Sequence, residues 1–171
     1  MTKSGSQGLT ALLGRMALIA IVVGTAVTVS ATERVTVSLV VGGAVGWSFV
    51  PVLQLLTGLL LVRGAGGGRV DLLARYFRLH QPWSLWILIA HAILLMVPIA
   101  RSYQQWITLT LIVPMIWTFW FLLRFCREEL RLDGRSALGR VLFHQSATYA
   151  IAFAYVFAAV ALWPRILGLF R

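Results

Sequence analysis

His91 sits inside an apolar run, flanked by Ala90 and Ala92, where an ionisable side chain would be enclosed. Ionisable groups in such a setting are costly and are by default candidates for function. One reading is a ligand or proton-relay histidine. The plainer reading, which we favour, is a neutral imidazole hydrogen-bonded to a neighbouring helix through Gln54, Thr110 or Tyr149. A bis-histidine haem site needs a partner at the same depth on another helix. His80 and His144 lie two turns or more from that level, at the ends of apolar runs. They can approach each other there, but two histidines with no nearby carboxylate or cysteine make a thin metal site. No metal, haem or other cofactor is expected. Gln54 lies one turn beyond Pro51, and a proline inside a helix frees a carbonyl and kinks it. A kinked span with a buried glutamine could line a small polar cavity, or the kink is structural and satisfied by Thr57 or a neighbouring helix.

No enzyme constellation appears. Glu128 and Glu129 lie among Arg127 and Arg131 and read as salt-bridged surface carboxylates. Serines have no histidine–carboxylate arrangement near them, and no H-E-x-x-H motif is present. Gly64–Gly68 is glycine-rich but has no Lys-Ser/Thr partner, so it reads as a turn and not as a phosphate loop. Cys126 is the only cysteine, which excludes an intrachain disulfide.

The elements that would position these residues are membrane spans. The chain has 171 residues, 60% hydrophobic and only 12% charged, against about 25% charged in soluble domains. The net charge of +10 would suggest nucleic acid in a soluble protein. Here the excess is almost all arginine beside apolar runs, which is how membrane proteins anchor to anionic lipid and set topology. A nucleic-acid partner is therefore rejected. Spans need about 20 apolar residues, and five candidates occur, at 9–31, 35–62, 83–100, 104–125 and 145–163. The first has a signal-peptide look, with Val29-Ser30-Ala31 loosely like a cleavage site, but it is long enough to span and is read as retained. The expected fold is a single all-α membrane domain. It is a polytopic bundle of about five transmembrane helices with two short cytoplasmic amphipathic helices.

Orientation follows from charge. With the N-terminus in the cytoplasm, eleven basic residues lie inside (Lys3 and Arg15 with those of 63–82 and 124–144) and four outside (Arg34, Arg101, Arg165 and Arg171). This is a clear positive-inside bias. Five spans then put the C-terminus outside, in a bacterial plasma (inner) membrane. Segment 63–82 predicts a short helix from Val70, capped by Asp71, with Leu72, Leu73, Tyr76, Phe77 and Leu79 on an apolar face lying on lipid. Segment 124–144 predicts a turn at Asp133-Gly134 and a second such helix capped by Ser136. Anionic headgroups are the expected ligands of Arg69, Arg75, Arg78, Arg127, Arg131, Arg135 and Arg140. Gly42 and Gly46, in G-x-x-x-G register, and Ala150 and Ala154 supply small-residue faces for helix packing, internally or with another subunit.

The run Gly66-Gly67-Gly68-Arg69, followed by Phe77 and then Pro82 opening the next span, resembles the Yip1 family of integral membrane proteins. The turn Leu130-Arg131-Leu132-Asp133-Gly134-Arg135-Ser136-Ala137 resembles that family's last cytoplasmic turn. The resemblance covers about residues 35–163 and implies five spans with a cytoplasmic N-terminus. Family members often carry a longer soluble N-terminal region, and eukaryotic ones are associated with Rab GTPases and vesicle traffic. No acidic or prenyl-recognition segment is evident here. The expected function is non-enzymatic scaffolding or membrane organisation, through lipid contacts and packing against itself or other membrane proteins. The competing expectation is an accessory subunit of a larger membrane complex or a small transporter component, with Gln54 and His91 lining a path. A redox subunit is a third class.

Overall fold

The computed structural model describes residues 3–64, 68–97 and 102–168. Ala65, Gly66 and Gly67, the expected end of the third span at 98–100 and Arg101 lie outside them, as does Arg171. All regular structure among the described residues is helical: α1 Lys3–Thr32, α2 Val37–Trp47, α3 Phe49–Leu61, α4 Arg69–Leu79, α5 Gln81–Met96, α6 Gln104–Leu109, α7 Ile112–Glu128 and α8 Gly134–Gly168. Four stretches are long and apolar enough to cross a membrane, namely Gly8–Thr32, Val37–Leu61, Arg69–Met96 and Gln105–Glu128. The chain is an all-helical integral membrane protein.

Two prolines decide where the second and fourth stretches break. A proline ring clashes with the carbonyl four residues earlier. For Pro51 that carbonyl belongs to Trp47, where α2 ends; Ser48 links α2 to α3, its hydroxyl donating to Val45 O at 2.7 Å. For Pro114 it belongs to Thr110, which separates α6 from α7; Thr110 donates its hydroxyl to Ile107 O and accepts from Trp86 Nε1 at 2.8 Å. The first and second stretches are joined by the tight turn expected at 32–34, with Glu33 in the left-handed region. Thr36 then caps α2, its hydroxyl accepting from Leu39 N–H.

Both capping expectations at the arginine-rich segments are corrected. α4 starts at Arg69 with Gly68 at its N-cap, and Asp71 lies in its first turn. α8 starts at Gly134 and is capped by Asp133, whose carboxylate accepts from the backbone N–H of Arg135 and Ser136. The aspartate lies closer to the first orphan donors than Ser136 does. The second amphipathic helix is therefore not a separate element but the opening turns of the 35-residue α8. The chain reverses at Arg131, which takes the left-handed conformation with φ 53°.

The buried core lies at the arginine-bearing end. It joins Leu12 of α1, Leu61 and Val62 at the end of α3, Leu122, Phe125 and Cys126 of α7, and Ala137 and Val141 of α8. Leu72, Leu73, Tyr76 and Phe77 of α4 complete it. The apolar face of α4 is thus taken by protein, packed against α1, α3 and α7, and does not lie on lipid as the helical spacing alone predicts. Arg15 fixes it further, donating from Nη1 to Ala74 O at 2.9 Å. At the other end, Val35, Val37, Met96, Trp106, Leu109 and Phe153 are exposed and form an apolar band.

Candidate functional site

Where α3, α4 and α8 meet, a chain of polar side chains crosses the core. Tyr76 of α4 is fully buried, at 0% exposure. Its ring lies against Gly58 of α3, where an added Cβ would sit 2.6 Å from a ring carbon, so glycine is what admits the ring. Its hydroxyl lies 3.2 Å from Thr57 Oγ1 and 2.7 Å from His144 Nε2. Thr57 also donates to Leu53 O at 2.8 Å. His80, one turn after Tyr76, places Nδ1 3.2 Å from Tyr76 O. The acceptor is a carbonyl, so Nδ1 of His80 carries the proton and donates. The rings of His80 and His144 are 6.1 Å apart, with Tyr76 between 4.6 and 5.5 Å from each.

The tautomer of His144 sets the direction of the chain, because Nε2 either accepts from Tyr76 or donates to it. Tyr76 has a single O–H, which goes either to Thr57 or to His144. In both arrangements His144 Nδ1 has no partner among the described residues, although His144 is only 5% exposed. Gln54 Oε1, one turn away on α3, is likewise buried without a partner. Buried polar atoms left this way are rare and need a reason. A bound metal is not an obvious one: no group of three or more His, Cys, Asp or Glu residues gathers among the described residues. The arrangement can hold and pass a proton between Thr57, Tyr76 and His144, and it can donate to or accept from a polar group arriving beside His144.

A cavity of about 320 Å³ lies beside His144. Thr57 and His144 form part of its wall, with Leu60 and Phe143 on the apolar side and Arg63 and Arg140 at the polar side. Arg140 reaches across from α8 to the end of α3 and donates from Nη1 to Leu61 O at 3.1 Å and Arg63 O at 3.3 Å. Leu61 O is one of the orphan carbonyls at the C-terminus of α3, where a cation is favourable, and Arg63 O lies just past it. A second, larger hollow of about 540 Å³ runs along α7 between Trp120, Arg124 and Arg127 and the turn residue Leu132.

The residues singled out from the sequence are only partly brought together. His91 is half-buried and lies apart; its Nδ1 bonds Ile87 O at 2.7 Å on its own helix, not Gln54, Thr110 or Tyr149. Gln54 is buried as expected, beside the network. Thr57 bonds its own helix at Leu53 and does not satisfy the carbonyl that Pro51 frees. Among the seven arginines, Arg69, Arg78, Arg127, Arg131 and Arg135 are exposed. Arg75 pairs with Glu129 at 2.6 Å, and Arg140 is turned inward onto backbone. Glu128 pairs with Arg124, one turn back, so neither carboxylate uses the arginines adjacent in sequence.

Gly42 and Gly46 are open, with nothing within 4 Å of an added Cβ. The internal close approach is made instead by Gly24 of α1 and Gly43 of α2, whose backbones touch. Ala150 and Ala154 are also exposed. Tyr76 is the residue that sequence reasoning missed as a site. The available signals were its i, i+4 spacing to His80 and a tyrosine on the apolar face of a helix, where its hydroxyl needs a partner. No protein-family model, curated protein or solved structure matches the chain.

Proposed function

We propose that this protein is a non-enzymatic membrane-organising scaffold that engages anionic lipid on one face. The observation that carries the reading is the placement of exposed arginines. Arg69, Arg78, Arg127, Arg131 and Arg135 surround the end of the bundle that is best packed. Each basic residue near an anionic leaflet contributes about 1 kcal/mol of attraction. A well-packed end holds those charges in fixed positions.

In this reading α8 supplies a fifth span through 145–163, the N-terminus and the arginines face the cytoplasm, and the C-terminus lies outside a bacterial plasma membrane. The open Gly42, Gly46, Ala150 and Ala154 faces support packing against a second copy or another membrane protein. The Yip1-like layout belongs to the same proposal, through Gly68, Arg69, Phe77, Pro82 and the 130–137 turn.

The accessory-subunit reading has one feature in its favour, the wide apolar and small-residue surface just described. Purification in mild detergent with mass analysis of what co-elutes separates the two. Lipid enriched in anionic headgroups, without a second chain, is the expected result. A stoichiometric partner chain favours the accessory subunit. Co-eluting lipid with no anionic enrichment contradicts the scaffold reading.

A further inference from the structure

We infer that the cavity between α3 and α8 holds one anionic phospholipid, its phosphate at Arg63 and Arg140 and its acyl chain descending past Phe143 and Ala147. The inference rests on the lipid-engaging reading above and goes beyond it. Exposed arginines attract a leaflet diffusely, whereas this cavity would select and retain a single molecule.

Three observations carry it. First, Arg140 is already in place. Its Nη1 is held by Leu61 O and Arg63 O, which leaves the Nη2 and Nε donors of the same rigid fork for an incoming anion. A guanidinium fixed in advance loses little freedom on binding phosphate. Second, the walls change character along the helices. From Arg140 to Ala147 on α8 is about 10 Å at the helical rise, passing from charge to Phe143 and Ala147. On α3 the same passage runs from Arg63 through Leu60 towards Thr57. Leu60 is 55% and Phe143 67% exposed, so the apolar side opens where lipid chains lie. Free phosphate would find no use for these walls. Third, His144 lines the cavity, is 95% buried and leaves Nδ1 unpartnered. Nδ1 itself is closed off, so a headgroup oxygen would reach Nδ1–H only after a turn of the ring.

The test uses the full-length protein, purified in detergent and stripped of lipid. It is titrated with phosphatidylglycerol, with phosphatidylcholine and with inorganic phosphate, and bound lipid is counted by native mass spectrometry. The wild type should retain one phosphatidylglycerol against an excess of phosphatidylcholine, and inorganic phosphate should not displace it. Arg63→Gln removes an exposed side chain with no packing role and should weaken retention about fivefold, the effect of one basic residue at a leaflet. Ala147→Trp fills the cavity and should abolish retention. Arg34→Gln, an exposed arginine at the opposite end of the bundle from the cavity, should leave it unchanged. Equal retention by wild type, Arg63→Gln and Ala147→Trp would overturn the site while leaving the diffuse lipid reading intact. Displacement by inorganic phosphate would also overturn it. A wild type with no preference for phosphatidylglycerol would overturn both.

Discussion

The two ends of the bundle solve opposite solvent problems. At the arginine-bearing end, Tyr76, Leu122, Cys126, Ala137 and Val141 are fully buried, and a short amphipathic helix fills the space between longer ones. At the other end, Val35, Val37, Met96, Trp106 and Phe153 face outward. Water at the first end drives apolar side chains inward, so a soluble-style core forms there. Within hydrocarbon no such force acts between helices, and contact relies on close backbone approach, as at Gly24 and Gly43. Tyr76, His80 and His144 interlock at the packed end. Elsewhere helices are linked by single hydrogen bonds, from Trp86 to Thr110 and from Tyr155 to Gly46 O, and His91 bonds a carbonyl of its own helix.

Substitutions that remove the packed end's centre should cost most. Tyr76→Ala leaves a cavity in the core and orphans His144, and should destabilise by about 3–5 kcal/mol, read as loss of Tm in detergent. A drop as small as that of a surface substitution would break the contrast between the ends. Gly24→Ala, in the lipid-facing half, forces a methyl onto the backbone of Gly43. Overpacking of this kind costs about 1–3 kcal/mol. Gly42→Ala, one position away on an open face, should be neutral in the same thermal assay. Equal effects from the two glycines would mean that α1 and α2 pack on a different face.

Tyr76→Phe keeps the ring and removes only the hydroxyl. It should cost about 1 kcal/mol, which separates the polar chain's contribution from the packing. The Arg75–Glu129 pair ties α4 to the end of α7 but is about half exposed. A double-mutant cycle should give about 0.2–1 kcal/mol, shrinking with added salt. Asp133 gives the smallest effect and a pH signature. Hydrogen bonds from Ser136, its side chain and then its backbone N–H, hold the carboxylate below its usual range. Its folded-state pKa lies below the unfolded one. The stabilisation is therefore present above the ordinary carboxylate range and lost as pH falls through the depressed value. Asp133→Ala should lose that acid-side slope in a Tm–pH profile.

Apolar run length located four spanning stretches, and the arginine clusters marked the packed end. Proline positions 51 and 114 account for the breaks at Ser48 and Thr110, although only the first was expected. Helical spacing showed that Leu72, Leu73, Tyr76 and Phe77 share a face. It could not show what covers that face, because lipid and protein demand the same residue types. The polar chain was hidden for a related reason. Thr57, Tyr76 and His144 are far apart in sequence, and only the docking of α4 on α3, next to α8, brings them into contact. G-x-x-x-G register pointed to Gly42 and Gly46, yet the face in use is set by which side of α2 meets α1.

The central claim is that the apolar face of α4 is buried in protein at the arginine-bearing end. Photolabelling with a lipid-soluble carbene precursor in bilayers, read residue by residue by mass spectrometry, tests it most directly. Leu60, Leu85, Ile116, Trp117 and Phe153 should be labelled, and Leu72, Leu73, Tyr76 and Phe77 should be spared. Labelling of Leu72 and Phe77 as strong as that of Leu60 would place α4 on the lipid surface and contradict the account.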